Sequence, residues 1–562
     1  MRNALLKTMV WWALVVCCGN ASAQQPAYTH LDVNNVDMLL TVYGGCHYAA
    51  DNNHLVSGYE FPKGSGCNTL SACGLWLSGH DLAQQIIYAF ASDFRRRCDF
   101  SPGPLTDRGY TNDEISAYYN RVWTISRSEM DLFLSFWDEN THQFIPQPDY
   151  IIPSDIWDWP AHGWMSVDES QGHLDYYIAP FVDVDGDGYY APEKGEYPQI
   201  KGDKCAFFVF NTCSPHSMFD GCEIQGMAYA FDEPDDPMLN NTVFFDFKIM
   251  NKGGFFLEDF YVGLWCDFDI GHKYDDYVGC DVENNCFYAY NASSVDGNGE
   301  TGSYGANPPC QVVTLLRGIQ MEDMDEPLGM TNFMYYTPED LNEAGIPFCN
   351  YCFQRSRWYQ NRLQYGGTGH AEDPAALSLD CRYAFPGDSD PQHLGTNGTA
   401  PWGIYSETPW TEKSCGNTPG DRLCVGSMGP FSIQHGDVME LSLALTSFAD
   451  REAVWQLSEP IDHLKHCFET GYTSSGKPFA YYYNVEENVV NQQVEIHPNP
   501  TTGLLTIKMT DFQSAEIIDL MGRKVAQSND ALIDLSKLPQ GIYLVKVFNK
   551  EGACLVRKVV KE

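Results

Sequence analysis

The chain has 562 residues, 44% of them hydrophobic and 14% aromatic, with 75 acidic against 34 basic side chains and a formal net charge of −41. That composition supports large packed cores and is far from the signature of a disordered chain. So acidic a surface repels phosphate backbones and anionic lipid, which argues against nucleic acid or a membrane surface as a partner.

Residues 1–23 read as a signal peptide. Arg2 and Lys7 form the positive end, 9–16 the apolar run, and Ala21-Ser22-Ala23 a small-residue cleavage site. The run is shorter than the ~20 apolar residues of a spanning helix. No later stretch is long and apolar enough, so no transmembrane segment is expected in the mature chain. Removing the leader takes Arg2 and Lys7 with it and lowers the net charge from −41 to −43. Cys17 and Cys18 go too, and the cysteines that remain are expected to form disulfides in an oxidising compartment. Cys205/Cys213/Cys222, Cys266/Cys280/Cys286 and Cys349/Cys352 are the candidate local staples. Cys349 and Cys352 make a CxxC pair, but no second pair at finger spacing accompanies it, which argues against zinc.

Residues 24–140 are expected to form an N-terminal β-rich domain, and 141–471 a central β-sandwich region with acidic, calcium-like loops. Helical periodicity is scarce. "SRSEMDLFLSFWDE" (126–139) is one candidate helix, capped by Ser126 or Ser128. "DREAVWQLSEPIDHLKHCFETG" (450–471) is another, expected to break or kink at Pro460. Between them lie short β-type runs such as 205–211, 241–251, 311–319 and 438–448, separated by Gly/Asn/Asp/Pro turns. The fold class read from this is mainly β: several β-sandwich-like domains with few helices.

The stretch "DVDGDGYYAPEKGEYP" (183–198) carries Asp183, Asp185 and Asp187 at alternate positions, followed by Gly188. Those match positions 1, 3, 5 and 6 of a calcium loop, and Tyr189 stands where a backbone carbonyl would ligate. The closing position, a bidentate Glu in an EF-hand, is Lys194, and Pro192 and Pro198 forbid a helix directly after the loop. The expected site is a single-loop calcium staple, similar to the loops of dockerins or thrombospondin repeats, closed by Glu193, Glu196 or Asp203. A second acidic cluster, Asp267, Asp269, Asp275, Asp276 and Asp281, is costly without a cation and is a second candidate calcium site. "PGDSDP" (Asp388, Asp390) reads as a turn.

Catalytic motifs are missing from the sequence. There is no G-x-S-x-G, since Ser427 in "VGSMG" misses the spacing, and no HExxH or P-loop. Carboxylate pairs carry no signal in a chain with 75 acids. Trp157, Trp159 and Trp164 are candidates for stacking on sugar or for packing between sheets.

Residues 472–493, starting "YTSSGKP", read as a linker. The segment 494–562 changes character, holding nine Lys/Arg against eight Asp/Glu. It alternates like strands and is expected to form a compact seven-stranded immunoglobulin-like sandwich. Its motifs are "PNPTTG" with Pro498, Asn499, Pro500 and Gly503; "IIDLMGRKV" with Gly522; "LPQGIYLVKV" with Gly541 and Tyr543; and the basic end with Arg557 and Lys558. In these it resembles the type A C-terminal sorting domain of the type IX secretion system of Bacteroidetes. That resemblance implies passage across the inner membrane by the signal peptide and across the outer membrane to the cell surface or medium. The secretion machinery would be the partner, and the tail is usually removed. The body, through "YEFPKGSG", "DFSPGPL", "DWPAHG", "GLWCDFDIGHKYDDYVGCD" and "GPFSIQHGD", resembles large secreted Bacteroidetes proteins bearing that tail, a family with no assigned activity. The function expected is therefore a calcium-stabilised, non-enzymatic surface protein with a glycan or matrix ligand. The alternative is a secreted hydrolase acting on polysaccharide or peptide.

Overall fold

A computed structural model describes residues 26–561 apart from 47–48, 52–53, 57, 92–97, 139–140, 142, 164, 166, 339, 341–346, 359–361, 364–366, 370–380, 402–408, 482–494, 500, 510–511, 520–523, 539–540 and 550–553. The segment expected to be the signal peptide lies outside the described residues. The chain divides into two compact units, 1–481 and 482–562.

Among the described residues, two large antiparallel sheets and five two-stranded ones make up the first unit. The eight-stranded sheet runs Tyr28–Leu31, Asp37–Thr41, Tyr59–Glu60, Asn68–His80, Leu257–Phe268, Arg422–Ile433 and Asn332–Tyr336, with Ile86–Phe90 also on Asn68–His80. The nine-stranded sheet runs Asp276–Asp281, Cys286–Asn291, Cys310–Gln320, Val438–Phe448, Thr242–Asn251, Cys222–Ala230, Lys204–Asn211 and Ser101–Pro102, with Trp123–Ser126 also on Lys204–Asn211. Strands from 24–140 and from 141–471 share both sheets, so the boundary expected at 140/141 does not separate two domains. The sequence is mainly β, as its short alternating runs imply, but those runs assemble into one sandwich in this unit.

Strand periodicity decides which side chains meet between the sheets. Ala206, Phe208 and Phe210 of one strand and Phe245, Phe247 and Ile249 of another enter a core with Leu75, Leu264 and Phe268 of the opposite sheet. Trp76 and Trp265, on neighbouring strands, stack with ring centroids 5.9 Å apart. Each fully buried ring of this kind contributes about 2 kcal/mol through lost contact with water. The outer faces are covered as well, which is why strands such as Asn68–His80 are buried along nearly their whole length. Helix Pro347–Gln354 lies on the eight-stranded sheet, where Gln354 Nε2 donates to the Trp76 carbonyl at 2.9 Å. Leu457 and Ile461 pack on Tyr277, Tyr288 and Tyr290 of the other.

The first expected helix runs Arg127–Leu134, capped by Ser126 in a reciprocal box with Glu129. It stops five residues early because Trp137–Asp138 pairs as a strand with Gln143–Phe144. The second splits into a 3-10 turn, Arg451–Trp455, and a helix, Ser458–Thr470. Pro460 thus falls in a first turn, where its missing N–H costs no intrahelical bond. Among the described residues no helix is long and apolar enough to cross a membrane. The linker expected from 472 begins later, because Phe479 packs on Phe231 and Phe244 and the Tyr481 hydroxyl donates to Asp131 at 2.6 Å.

Among the described residues, the second unit has seven strands in two sheets. Glu495–His497, Leu504–Lys508 and Leu532–Asp534 form one; Lys524–Ser528, Phe512–Asp519, Gly541–Asn549 and Cys554–Lys561 form the other. Leu505, Ile507 and Ile533 meet Ile517, Val545, Val547 and Val559 in its core. This is the seven-stranded sandwich read from the alternation. Pro498 and Asn499 make the bend after the first strand, and Gly503 lies where an added Cβ would come 3.2 Å from the Ser536 Cβ. Tyr543 is buried, and Arg557 and Lys558 pair in the last strand with Val545 and Leu544. Pro500 and Gly522 lie outside the described residues.

Candidate metal centre

Phe181–Val182 pairs antiparallel with Tyr197–Pro198, Phe181 opposite Pro198 and Val182 opposite Tyr197. That register sets the legs of a hairpin and places Asp183 next to Glu196 across its mouth. The tip is built on aspartate-to-amide bonds. Asp183 accepts from Gly186 N–H at 2.7 Å through Oδ1 and from Gly188 N–H at 2.9 Å through Oδ2. Asp185 Oδ1 accepts from Asp187 N–H at 3.0 Å, and Asp187 Oδ1 from Tyr189 N–H at 2.8 Å. Gly186 and Gly188 hold φ values of 76° and 78°, a region that glycine enters without a Cβ clash. Below the tip, buried His162 accepts from Tyr190 N–H at 2.9 Å through Nε2, and its Nδ1 lies 3.0 Å from the Tyr176 carbonyl. One ring nitrogen accepting and the other donating is the neutral tautomer, and burial lowers the imidazole pKa in the same direction.

One oxygen each of Asp183, Asp185, Asp187 and Glu196 lies within 4.8 Å of the others. Oxygens bound to one calcium at 2.3–2.6 Å can be no further apart than about 5 Å, so this spread fits. The aspartates are exposed, whereas Glu196 is fully buried. Glu196 Oε2 accepts from Ala191 N–H at 2.7 Å, while Oε1 is buried without a hydrogen-bond partner. Burial, assisted by the three aspartate charges, pushes this carboxyl up to about 7. Glu193 is exposed and outside the group. Asp203 is turned away and pairs with Arg127 at 3.2 Å and Lys477 at 2.7 Å. Of the three candidate closing residues, register selects Glu196. Lys194 approaches Asp185 Oδ2 at 3.0 Å and Asp187 Oδ2 at 2.7 Å. These bonds raise the ammonium pKa and lower that of Asp187.

The second cluster assembles differently from its sequence outline. Asp267 and Asp269 join Asp421, again within 4.8 Å, because Phe268 pairs with Arg422 across neighbouring strands. Asp421 carries no local signal: it lies about 150 residues away and only strand pairing delivers it. Lys273 Nζ reaches Asp421 at 2.7 Å, and Ser71 donates to Asp269 Oδ2. Asp269 Oδ1 is buried without a partner, and burial pushes the carboxyl up to about 6. The other three expected members go elsewhere. Asp275 accepts from Gly297 N–H at 3.0 Å and Asp276 from Ile270 N–H at 2.9 Å. Asp281 closes a turn on Asn284 at 2.9 and 2.7 Å. Asp390 likewise only closes a turn, onto Leu394 and Gly395 N–H.

Trp159 is buried against Phe207 and donates to the Pro180 carbonyl at 2.9 Å, whereas Trp157 is half exposed; Trp164 lies outside the described residues. Ser427 is fully buried in mid-strand, its hydroxyl spent on the Gln354 carbonyl. A surface depression of about 370 Å³ is lined by Glu258, Asp259, Pro430, Phe431 and Ser432.

Residues 495–562 match the family model described as a secretion system C-terminal sorting domain. No curated protein matches the chain. Among solved structures, a polysaccharide lyase is similar at 8% identity and a TM-score of 0.17, over 69% of this chain and 37% of the lyase. The aligned part thus spans well under half of that enzyme's length.

Proposed function

We propose that this chain, which carries a type IX secretion C-terminal sorting domain over residues 495–562, is an exported surface protein whose β-sandwich body is stapled by calcium and serves in adhesion. The sorting domain supports export to the cell surface or medium, with the secretion machinery as partner. The observation that carries the calcium reading is Glu196: a fully buried carboxylate with an unpartnered oxygen beside three aspartates. Burying such a group is costly unless something pairs with it. Asp183, Asp185, Asp187 and Glu196 would hold the ion, with the Tyr189 carbonyl as a further donor. Calcium prefers six to eight oxygens, so water would complete the shell.

The adhesion reading names a glycan or matrix ligand, and the half-exposed Trp157 near the hairpin is suited to stacking on sugar. Purified protein screened on glycan and host-matrix arrays, with calcium and with chelator, tests it. Binding to some ligand is expected, and no binding to any would overturn the adhesion role while leaving calcium and export standing. The alternative, a secreted hydrolase, would use the depression beside Glu258 and Asp259. Turnover of polysaccharide or peptide that is abolished by Glu258→Gln or Asp259→Asn would favour it.

A further inference from the structure

Two cysteines that belong to none of the candidate staples meet inside the first unit. Cys46 Sγ and Cys73 Sγ lie 3.2 Å apart, and both residues are buried. The approach is set by backbone. Thr41 N–H donates to the Gly45 carbonyl and Gly44 N–H to the Thr41 carbonyl, each at 3.0 Å, which curls the chain after the strand Asp37–Thr41. Cys73 N–H then donates to the Cys46 carbonyl at 2.7 Å, laying Cys46 along the strand Asn68–His80. Two glycines clear the space. A Cβ on Gly45 would come 2.2 Å from the Cys73 carbonyl oxygen, and one on Gly58 would come 2.7 Å from Cys46 Cβ and 3.0 Å from its Sγ. Such close approach of backbone to side chain is possible only without a side chain at 45 and 58.

Strand register adds a second pair to the row. Cys73 stands opposite Cys266, and Cys266 opposite Cys424. Cys73 therefore has two neighbouring thiols, and the sulfur in contact with it is that of Cys46.

We propose that Cys46 and Cys73 are a modification site: in the exported protein they form a structural disulfide, by exchange with a disulfide donor before the sandwich closes. The step balances as thiol–disulfide exchange. Both thiols lose their protons and two electrons in all, one Sγ–Sγ bond forms, and the donor's sulfur–sulfur bond breaks to leave two donor thiols. Bringing the sulfurs from 3.2 Å to a bond of about 2.05 Å needs about one ångström of side-chain movement. Once the unit has folded, burial pushes the neighbouring Cys266 thiol pKa well up, which disfavours the thiolate that would have to attack the bond to reshuffle it. The oxidising compartment required is the one that export supplies.

The test uses the full chain, produced by export through an oxidising periplasm and digested without reduction. Cleavage after Lys63 and Arg95 puts Cys46 on one peptide and Cys67 with Cys73 on the next. Those two peptides are expected to be joined, at a mass two hydrogens below their sum. The link is expected to persist in Cys67→Ser and to disappear in Cys73→Ser. In Cys46→Ser, Cys73 becomes open to alkylation in denatured, unreduced protein, a readout that does not require the variant to fold. Unlinked peptides, a link lost in Cys67→Ser, or a Cys73–Cys266 link would each overturn the proposal.

Discussion

Lys194 places its ammonium 2.7 Å from Asp187 Oδ2, within the ring of oxygens that Glu196 completes. At the position where an EF-hand puts its closing carboxylate, this chain puts a cation of its own. A divalent ion entering the loop must displace Lys194 from both Asp187 and Asp185.

Lys194→Ala is therefore expected to tighten calcium binding. The ion pairs are exposed and screened by solvent, so the gain should be small, a few-fold in Kd at most. Titration calorimetry on wild type and variant measures it. Weaker binding in the variant would mean that Lys194 supports the site.

Glu196→Gln is expected to weaken calcium by about tenfold or more, because charge count on the ligands sets affinity in such loops. A pH dependence follows from the same residue. Its folded pKa of about 7 is raised above the ordinary carboxylate value. In chelator the protonated form therefore favours the fold, and the stability it contributes, full below the ordinary value, is lost as pH rises through about 7. Calcium affinity should rise over that interval as the proton leaves. Melts across pH 4–8, with and without calcium, check both slopes, and Glu196→Gln should flatten them.

The Arg422 guanidinium contacts buried Glu412 with Nε 3.2 Å from both carboxylate oxygens and Nη2 2.9 Å from Oε2. Glu412 also accepts from Val278 N–H at 2.8 Å. Glu412→Gln leaves a buried guanidinium without its counter-charge and is expected to cost about 3–5 kcal/mol. Denaturant unfolding measures the loss, and a double change of Glu412 and Arg422 to apolar residues should cost less than Glu412→Gln alone.

Deleting 494–562 is expected to leave the body folded and retained in the periplasm, because the sorting domain has its own core. Fractionation of cells and surface labelling decide the matter. Surface display without the tail would contradict the sorting role.

Local chemistry was legible and long-range pairing was not. The alternating aspartates with Gly188 marked the loop, and Lys194 was visible as the misfit at its closing position. Glu196 stood among three candidates, and counting register back from Val182 and Tyr197 separates it from Glu193 and Asp203. Asp421 and the Cys46–Cys73 contact had no such handle, since each depends on a strand far along the chain. The strands themselves were readable from alternation, but alternation does not say which strands share a sheet. Alternation alone therefore yields two regions where the first unit is one interleaved sandwich, while the tail, whose described strands lie within seventy residues, is legible whole.

The interleaving also dictates an order of events. Tyr59, near the start, donates its hydroxyl to the Leu445 carbonyl at 2.9 Å, a contact spanning 386 positions. The strand Val438–Phe448 lies between Thr242–Asn251 and Cys310–Gln320 in the middle of its sheet. Until that strand has been synthesised, the strands on either side of it have no mutual partner, and the face that will cover Tyr59 does not exist. High sequence separation makes folding slow, and unpaired strands held open meanwhile invite aggregation. The body is therefore a late and concerted folder: a nascent chain stopped before residue 438 has nearly all its aromatic side chains and no finished interior in which to hide them.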